Sequence, residues 1–221
     1  AKDDTMVVPL VSSKDFYSFL LPLGEHNVSN FSAALLAAFL ASKTFPPKQK
    51  LGMSDVRTIL PTLAKVMPKF RQEIVYQKNG LCIINDSAST SPEAAIAALE
   101  RFSAVAHAKR LPLFFIAGGT DKGLSYTKLV SAIRAKRTLF GSWGLPFHLY
   151  LLEGSATDKI CKNLNMTICK DLETIVKGCA STSSANKNNG IIVFSPGAAS
   201  FEKFKNEFDR GEQFNALVKK Y

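Results

Sequence analysis

Three segments of the 221-residue sequence combine glycine, hydroxyl and charged residues in a way that suits the binding of an anion. Residues 86–90 read Asp-Ser-Ala-Ser-Thr, residues 118–123 read Gly-Gly-Thr-Asp-Lys-Gly, and residues 195–200 read Ser-Pro-Gly-Ala-Ala-Ser. Small residues let backbone N–H groups approach a ligand, while an ammonium and hydroxyl groups donate hydrogen bonds to it. The third segment lies between the apolar run 191–194 and a predicted helix, which favours an anion at a helix N-terminus.

Each of these segments directly follows a predicted strand. Asn79-Gly80 predicts a hairpin turn, and Ser91-Pro92-Glu93 predicts a helix start with Ser91 as its N-cap. Strands that alternate with helices predict an α/β protein with a mostly parallel, doubly wound sheet. The carboxyl ends of parallel strands meet at one edge of such a sheet, so we expect the three segments to share one crevice. The predicted strands are 74–77, 81–85, 113–117, 147–152, 167–169 and 191–194, and the helices lie near 91–102, 126–136, 156–164, 172–180 and 207–219, with a polar loop at 181–189.

The same residues also have purely structural interpretations. Asp86 could cap the turn after it, the paired glycines could only permit tight turning, and Lys122 could be a solvated surface lysine. Ser200 could be a helix N-cap. The expected meeting of all three segments at one edge favours an anion site over these alternatives. Three phenylalanines at helical spacing favour burial in a core over contact with a ligand: Phe201, Phe204 and Phe208.

Composition excludes several classes of protein. The sequence contains no run of 18 apolar residues, so we expect no membrane span. Its four cysteines form no CxxC pair and only three histidines accompany them, which predicts free thiols in a reducing cytoplasm and no metal site. The net charge of +10 suits an anionic small substrate or an acidic partner domain. Nucleic-acid binding is disfavoured because the basic residues are scattered and no binding signature accompanies them.

The first third of the chain differs in character from the rest. It predicts a short strand at 6–11, a loop at 20–24, and helices at 28–42 and 54–67, with Pro68 marking a boundary. We therefore expect one region at 1–68 and a second at 69–221. Neither a GxGxxG motif nor a GxxxxGK[ST] P-loop occurs in the sequence, so these residues carry no recognisable means of hydrolysing ATP.

The motifs together resemble those of the Mur ligase family, in the family's order and over nearly the whole chain. The resemblance rests on residues 24–30, 85–94, 117–123 and 195–201, followed by Phe-Lys-Asn at 204–206 and Arg-Gly at 210–211. The Gly-Gly-x-Asp-Lys-Gly and Ser-Pro-x-x-Ala-Ser elements are more similar to the D-glutamate-adding member than to its paralogues.

The resemblance implies a fold and an activity. Residues 1–68 would be a partial, mainly helical piece of a central ATPase domain, and 69–221 a C-terminal Rossmann-like domain that binds D-glutamate. The family uses ATP and Mg²⁺ to phosphorylate the carboxylate of UDP-N-acetylmuramoyl-L-alanine, which the D-glutamate amine then attacks, in peptidoglycan biosynthesis. The P-loop and Mg²⁺ would belong to a part of the protein outside this chain. We therefore assign no catalytic residue or metal ligand here, and we expect a cytoplasmic monomer whose present chain is inactive alone.

The resemblance also assigns binding residues, and the sequence departs from the family at three places. Ala88 stands where the family has lysine, Phe70 stands where it has histidine, and the aromatic residue expected soon after position 206 is displaced to Phe208. These departures leave open a divergent, non-catalytic relative that binds or regulates. Asn27 and Asn30 have helix capping as their structural alternative. The resemblance implies that Lys122, Thr90 and Ser200 bind the D-glutamate carboxylates, that Phe201 adds a backbone contact, that Asn27 and Asn30 contact adenine, and that Arg71 and Asp86 face the nucleotide.

Overall fold

The computed structural model describes residues 25–44, 58, 68–161, 164–185 and 189–220. The chain divides into two compact units, Ala1–Met67 and Pro68–Tyr221. In the first unit, helix α1 spans Glu25–Thr44, where the sequence predicted a helix at 28–42. The predictions at 6–11, 20–24 and 54–67 lie outside the described residues, apart from Thr58, which is helical. Among the described residues, no helix has both the length and the apolar character needed to cross a membrane.

The second unit is a three-layer α/β domain built on a six-stranded sheet. The strand order is β1-β2-β6-β3-β4-β5, in which β1 is antiparallel to β2 and every other neighbouring pair is parallel. The predicted fold class is confirmed. The elements are β1 (Glu73–Lys78), β2 (Leu81–Asn85), α2 (Pro92–Lys109), β3 (Leu113–Gly118), α3 (Thr127–Ser142), β4 (Phe147–Leu152), α4 (Thr157–Ile160), β5 (Thr167–Cys169), α5 (Leu172–Ala185), β6 (Gly190–Phe194) and α6 (Glu207–Val218).

Both faces of the sheet are covered, which explains why its central strands are apolar at every position. Successive side chains of a strand point to opposite faces. Phe115 and Val193 therefore join the core under α2 and α3, whereas the preceding residue of β3, Phe114, joins the core under α5 and α6. All six residues of β3 are buried, as expected for a parallel strand between two helical layers.

Local signals in the sequence account for the main connections. Asn79 and Gly80 adopt φ of 50° and 84° in the β1–β2 turn, so the predicted hairpin is confirmed. Ser91 is the N-cap of α2, and its hydroxyl accepts a hydrogen bond from the backbone N–H of Ala94 at 3.4 Å, as predicted. Pro92 occupies the first helical position.

Four helix ends differ from the predictions. Helix α2 continues to Lys109 instead of ending near 102, since Ala106 extends its buried face. Helix α3 continues to Ser142 because Phe140 extends its buried face, and α4 ends at Ile160 rather than near 164. The predicted loop at 181–189 is wrong over its first residues, since α5 runs to Ala185. The hydroxyls of Ser181 and Thr182 donate to backbone carbonyls four residues earlier, at 3.0 and 2.9 Å, and this lets polar residues remain helical.

The position of β6 determines where a site can form. The chain runs from β2 through α2 to β3 and leaves a gap between these strands, which β6 later fills. Strands β2, β6 and β3 are therefore parallel neighbours, and each one leads into a segment that the sequence singled out. A strand order that changes direction at such a point opens a crevice at the carboxyl edge of the sheet.

Candidate functional site

Backbone hydrogen bonds hold the three segments together at the carboxyl edge. The N–H of Asp86 donates to the carbonyl of Phe194 at 2.7 Å, and the N–H of Gly197 donates to the carbonyl of Ser89 at 3.0 Å. On the other side, Thr120 and Ala199 form an isolated antiparallel bridge, with N–H to carbonyl distances of 2.9 and 3.0 Å. The predicted meeting of the three segments at one edge is confirmed.

Lys122 and Thr90 come together across this edge. The Lys122 Nζ lies 3.4 Å from Thr90 Oγ1, and the lysine side chain is exposed. The neighbouring Asp121 is instead paired with Lys159, whose hydrogen bond lowers the pKa of the Asp121 carboxyl. Within the part of the chain that the structure describes, Lys122 has no carboxylate partner. Its positive charge is available to an anionic ligand.

Ser200 is buried, and its hydroxyl has no hydrogen-bond partner among the described residues. The backbone carbonyl of Ser200 accepts from the N–H groups of Lys203 and Phe204 at 3.2 and 3.0 Å, which closes a tight turn. The N-cap alternative for Ser200 is wrong, because Asn206 caps α6 and accepts from two backbone N–H groups through its Oδ1. The helix predicted at 207–219 is confirmed, since α6 begins at Glu207. Ser200 therefore lies in a turn, and the idea that the third segment stands at a helix N-terminus is wrong.

This turn and the first turn of α6 each expose a phenylalanine that the spacing placed in a core. Phe201 is 68% exposed and Phe208 is 52% exposed, so the core prediction is wrong for both. Residues 201–206 form turns and bends rather than a helix, so a helical spacing does not apply to them. Phe204 is partly buried and packs against the core under α5 and α6.

Asp86 lies inside the domain. Its carboxylate accepts a hydrogen bond from the Gln72 backbone N–H at 3.0 Å and another from the Ser195 hydroxyl at 2.7 Å. Burial raises the pKa of Asp86 to about 7, although the two hydrogen bonds and the nearby guanidinium groups of Arg71 and Arg101 favour the charged form. The carboxylate does not cap the turn after it, as one alternative held. It joins the segment before β1 to the segment after β6.

Arg210 was assigned no role from the sequence, yet it is the largest wholly buried side chain described. Its guanidinium donates to the Ser87 hydroxyl and carbonyl at 3.0 and 2.7 Å, and to the carbonyls of Ala198 and Ala199 at 3.1 and 3.0 Å. Burial lowers the pKa of Arg210 to about 10, so it stays charged at neutral pH. One side chain thus links the segments after β2 and β6. A Cβ at Gly119 would lie 2.7 Å from the carbonyl of Ala199, so the segment after β3 must pass close to this group.

The remaining sequence-predicted residues are spread over both units. Asn27 and Asn30 are on α1 of the first unit, where the Asn30 side chain is exposed and that of Asn27 lies outside the described side chains. Arg71 is exposed at the start of the second unit.

Two of the three departures from the family pattern, Ala88 and Phe70, are joined by a backbone hydrogen bond. The N–H of Ala88 donates to the carbonyl of Phe70 at 3.0 Å, and both side chains are buried. The Phe70 ring meets Phe208 edge to face at 6.2 Å and lies against Gly211, where a Cβ would come within 2.6 Å of it. Apolar contacts therefore occupy positions where the family pattern has a lysine and a histidine.

The fold is that of a Rossmann-like α/β domain with the three polar segments at the carboxyl edge of its sheet. No protein-family model matches the chain. Over 67% of its length it is 39% identical to a UDP-N-acetylmuramoylalanine–D-glutamate ligase of Treponema pallidum, covering 25% of that protein. The ligase of the same name from Roseiflexus is 31% identical over 90% of this chain, which covers 38% of the Roseiflexus protein. The ligase of the same name from Natranaerobius thermophilus is 29% identical over 98% of this chain, which covers 42% of that protein.

The chain therefore belongs to the Mur ligase family. Its curated relatives within that family are UDP-N-acetylmuramoylalanine–D-glutamate ligases, and it spans between 25% and 42% of the length of the three compared above.

Proposed function

We propose that this chain supplies the acceptor-binding part of an ATP-dependent ligase that joins D-glutamate to UDP-N-acetylmuramoyl-L-alanine in peptidoglycan biosynthesis. In this assignment, residues 1–68 are the end of a central ATP-binding domain and 69–221 are the D-glutamate-binding domain. The names of the relatives support the reaction, and the carboxyl edge of the sheet supports the place of binding. We further propose that the protein is a monomer and that it is cytoplasmic. The four free cysteines support only the compartment, because a reducing cytoplasm preserves thiols.

The observation that carries the proposal is an unpaired lysine and an unpartnered buried hydroxyl on adjoining loops. Lys122 and Thr90 present an ammonium and a hydroxyl 3.4 Å apart, and Ser200 presents a second hydroxyl from the turn that bridges to Thr120. D-Glutamate carries two carboxylates, which can be held at two such places at once. The backbone of Phe201, a residue that is 68% exposed, offers a further contact. Charge-assisted hydrogen bonds of this kind contribute about 1.5–3 kcal/mol each.

ATP would supply the phosphoryl group that activates the other substrate's carboxylate, and Mg²⁺ would neutralise charge on the phosphates. Asn30 and Arg71 fit a nucleotide, because both are exposed and can donate to its base or phosphates, and we propose the same role for Asn27. Asp86 fits a direct contact poorly, because its carboxylate is buried and already accepts hydrogen bonds from Gln72 and Ser195. We propose instead that Asp86 shapes the region next to Arg71. With no P-loop among its residues, the chain should not hydrolyse ATP alone.

The test is a Lys122→Ala substitution in the complete ligase that contains this chain. We expect the KM for D-glutamate to rise by about tenfold to a hundredfold, the equivalent of one charged hydrogen bond, while the KM for ATP stays unchanged. Lys128→Ala is the matched control, since Lys128 is an exposed lysine on the first turn of α3. An unchanged KM for D-glutamate in Lys122→Ala would remove Lys122 from the site.

A second candidate function is a divergent module that binds the acceptor without catalysis. It is favoured by Ala88 and Phe70, whose buried apolar contacts replace the charged and polar residues of the family pattern. The discriminating measurement is ADP release by the complete protein with and without D-glutamate. Release that depends on D-glutamate supports the ligase, whereas D-glutamate binding without ADP release supports the module.

A further inference from the structure

The loop after β4 contacts two of the three segments that carry the proposed D-glutamate ligands, the one after β3 and the one after β6. Its sequence offers no polar cluster comparable to those segments. Ser155 is the centre of these contacts. Its hydroxyl accepts from the Asp121 backbone N–H at 2.8 Å, next to Lys122. The same hydroxyl donates to one carboxylate oxygen of Glu202, and the Ser155 N–H donates to the other at 3.1 Å. Glu202 lies two residues after Ser200.

Two further contacts join the segments after β3, β4 and β6 to one another. The backbone N–H of Glu202 donates to Thr120 Oγ1 at 2.9 Å, and the N–H of Ala156 donates to the carbonyl of Gly119 at 2.8 Å. The approach is so close that a Cβ at Gly154 would lie 2.4 Å from the Gly119 carbonyl and 2.8 Å from the Glu202 carboxylate. Only glycine fits there without displacing one of these groups.

The charge of Glu202 makes these contacts relevant to an anionic ligand. A carboxylate two residues from Ser200 would repel a bound anion if it were free to turn toward it. Ser155 supplies a hydrogen bond to each of its oxygens, which holds the carboxylate at the β4 loop. The same serine fixes the backbone beside Lys122 through Asp121. One residue thus sets the spacing between the Lys122 segment and the Ser200 turn, and it also restrains the nearest acidic group on that turn.

We propose that Ser155 and Glu202 are positioning residues of the acceptor site, which fix the separation of Lys122 and Ser200 to suit a dicarboxylic amino acid. The proposal rests on the proposed function. It predicts that the two residues act as one unit on acceptor binding and leave the nucleotide and the chemical step unaffected.

The experiment is a double-mutant cycle in the complete ligase, with Ser155→Ala, Glu202→Ala and the double variant. We expect Ser155→Ala to raise the KM for D-glutamate about threefold to tenfold, less than a buried charged hydrogen bond because the pair is solvent-exposed. The kcat and the KM for ATP should stay within about twofold of the wild-type values. The double variant should resemble the worse single variant, and Ser155→Thr, which keeps the hydroxyl, should restore the KM.

Ser142→Ala is the matched control, because this exposed serine donates only to the Leu139 carbonyl at the end of α3. Thermal melting of each variant separates misfolding from misplacement, and Glu202→Gln replaces Ser155→Ala if the latter does not fold. Three results would each overturn the proposal. The first is a double variant whose KM for D-glutamate rises by the product of the two single fold-changes. The others are an unchanged KM for D-glutamate in Ser155→Ala and a lowered one in Glu202→Ala. If the wild-type enzyme uses D-glutamate, such a result overturns this inference alone; if it does not, the proposed function falls first.

Discussion

Replacing Arg210 with methionine should destabilise the second unit strongly, because a thioether side chain cannot donate the hydrogen bonds that the guanidinium makes. The guanidinium is completely buried and reaches four acceptor oxygens. Two of them keep another partner, since Thr120 donates to the Ala199 carbonyl and the Ser87 hydroxyl is itself bonded to the Glu207 carbonyl. The carbonyls of Ser87 and Ala198 have no other donor among the described residues.

Each buried carbonyl left without a donor costs about 1–3 kcal/mol. The variant no longer has to desolvate a buried charge, which offsets part of that loss. We therefore expect Arg210→Met to lower the free energy of unfolding by about 3 kcal/mol. With a urea dependence of about 2 kcal/mol per molar, the unfolding midpoint should fall by about 1.5 M.

The assay is urea unfolding of the chain followed by the fluorescence of Trp143, the single tryptophan of the sequence, which lies in the same unit as Arg210. Arg110→Met is the control, because Arg110 is exposed, and it should change the free energy of unfolding by less than about 0.5 kcal/mol. An Arg210→Met variant within about 1 kcal/mol of the wild type would refute the idea that this side chain holds the two segments together.

Three other substitutions test separate features by the same unfolding assay. The pKa of Asp86 is raised to about 7 in the folded protein, so its contribution to the free energy of unfolding is full below about pH 4 and is lost as the pH rises to 7. Asp86→Asn should therefore make the free energy of unfolding fall less between pH 4 and pH 7, by up to about 4 kcal/mol. Parallel pH profiles of the variant and the wild type would contradict this prediction. Gly197→Ala and Gly123→Ala both place alanine at positive φ, but only the Gly197 variant puts a Cβ 2.8 Å from Ala95. Gly197→Ala should therefore lower the free energy of unfolding by at least about 1 kcal/mol more than Gly123→Ala. Equal losses of stability in the two variants would exclude the clash with Ala95. Ser91→Ala should cost about 1 kcal/mol by removing the N-cap of α2, and no change would show that the 3.4 Å contact contributes nothing.

The elements that the sequence predicted well depend on local rules. Strands β2, β3 and β6 are apolar at almost every position because two helical layers cover them. The Asn79-Gly80 turn and the Ser91 cap depend on backbone angles and on hydrogen bonds between near neighbours, which residue types specify directly. The meeting of the three segments at one edge followed from the parallel topology alone.

The features that the sequence did not reveal depend on distant contacts. Arg210 is buried because its acceptors lie on two other segments, and Ser87 is 123 residues away in the chain. Arginine is rarely buried in proteins, so the residue type itself indicates exposure. The exposure of Phe201 follows from a turn closed on the Ser200 carbonyl, whereas the spacing of the phenylalanines alone suggested a helix. Ser155 was missed because its contacts come from two other loops, a backbone N–H of Asp121 and the side-chain carboxylate of Glu202.

The place of β6 in the sheet has a consequence for synthesis of the chain. This strand is the last of the six in sequence, yet it separates β2 from β3 at the centre of the sheet. A nascent chain that has emerged only as far as α5 therefore holds β2 and β3 with unpaired edges, which invite pairing with other chains. The carboxyl edge of the sheet is complete only after β6 and Arg210, which joins the segments after β2 and β6, have left the ribosome. Ligand binding by this domain would thus report that almost the entire second unit has been made and folded.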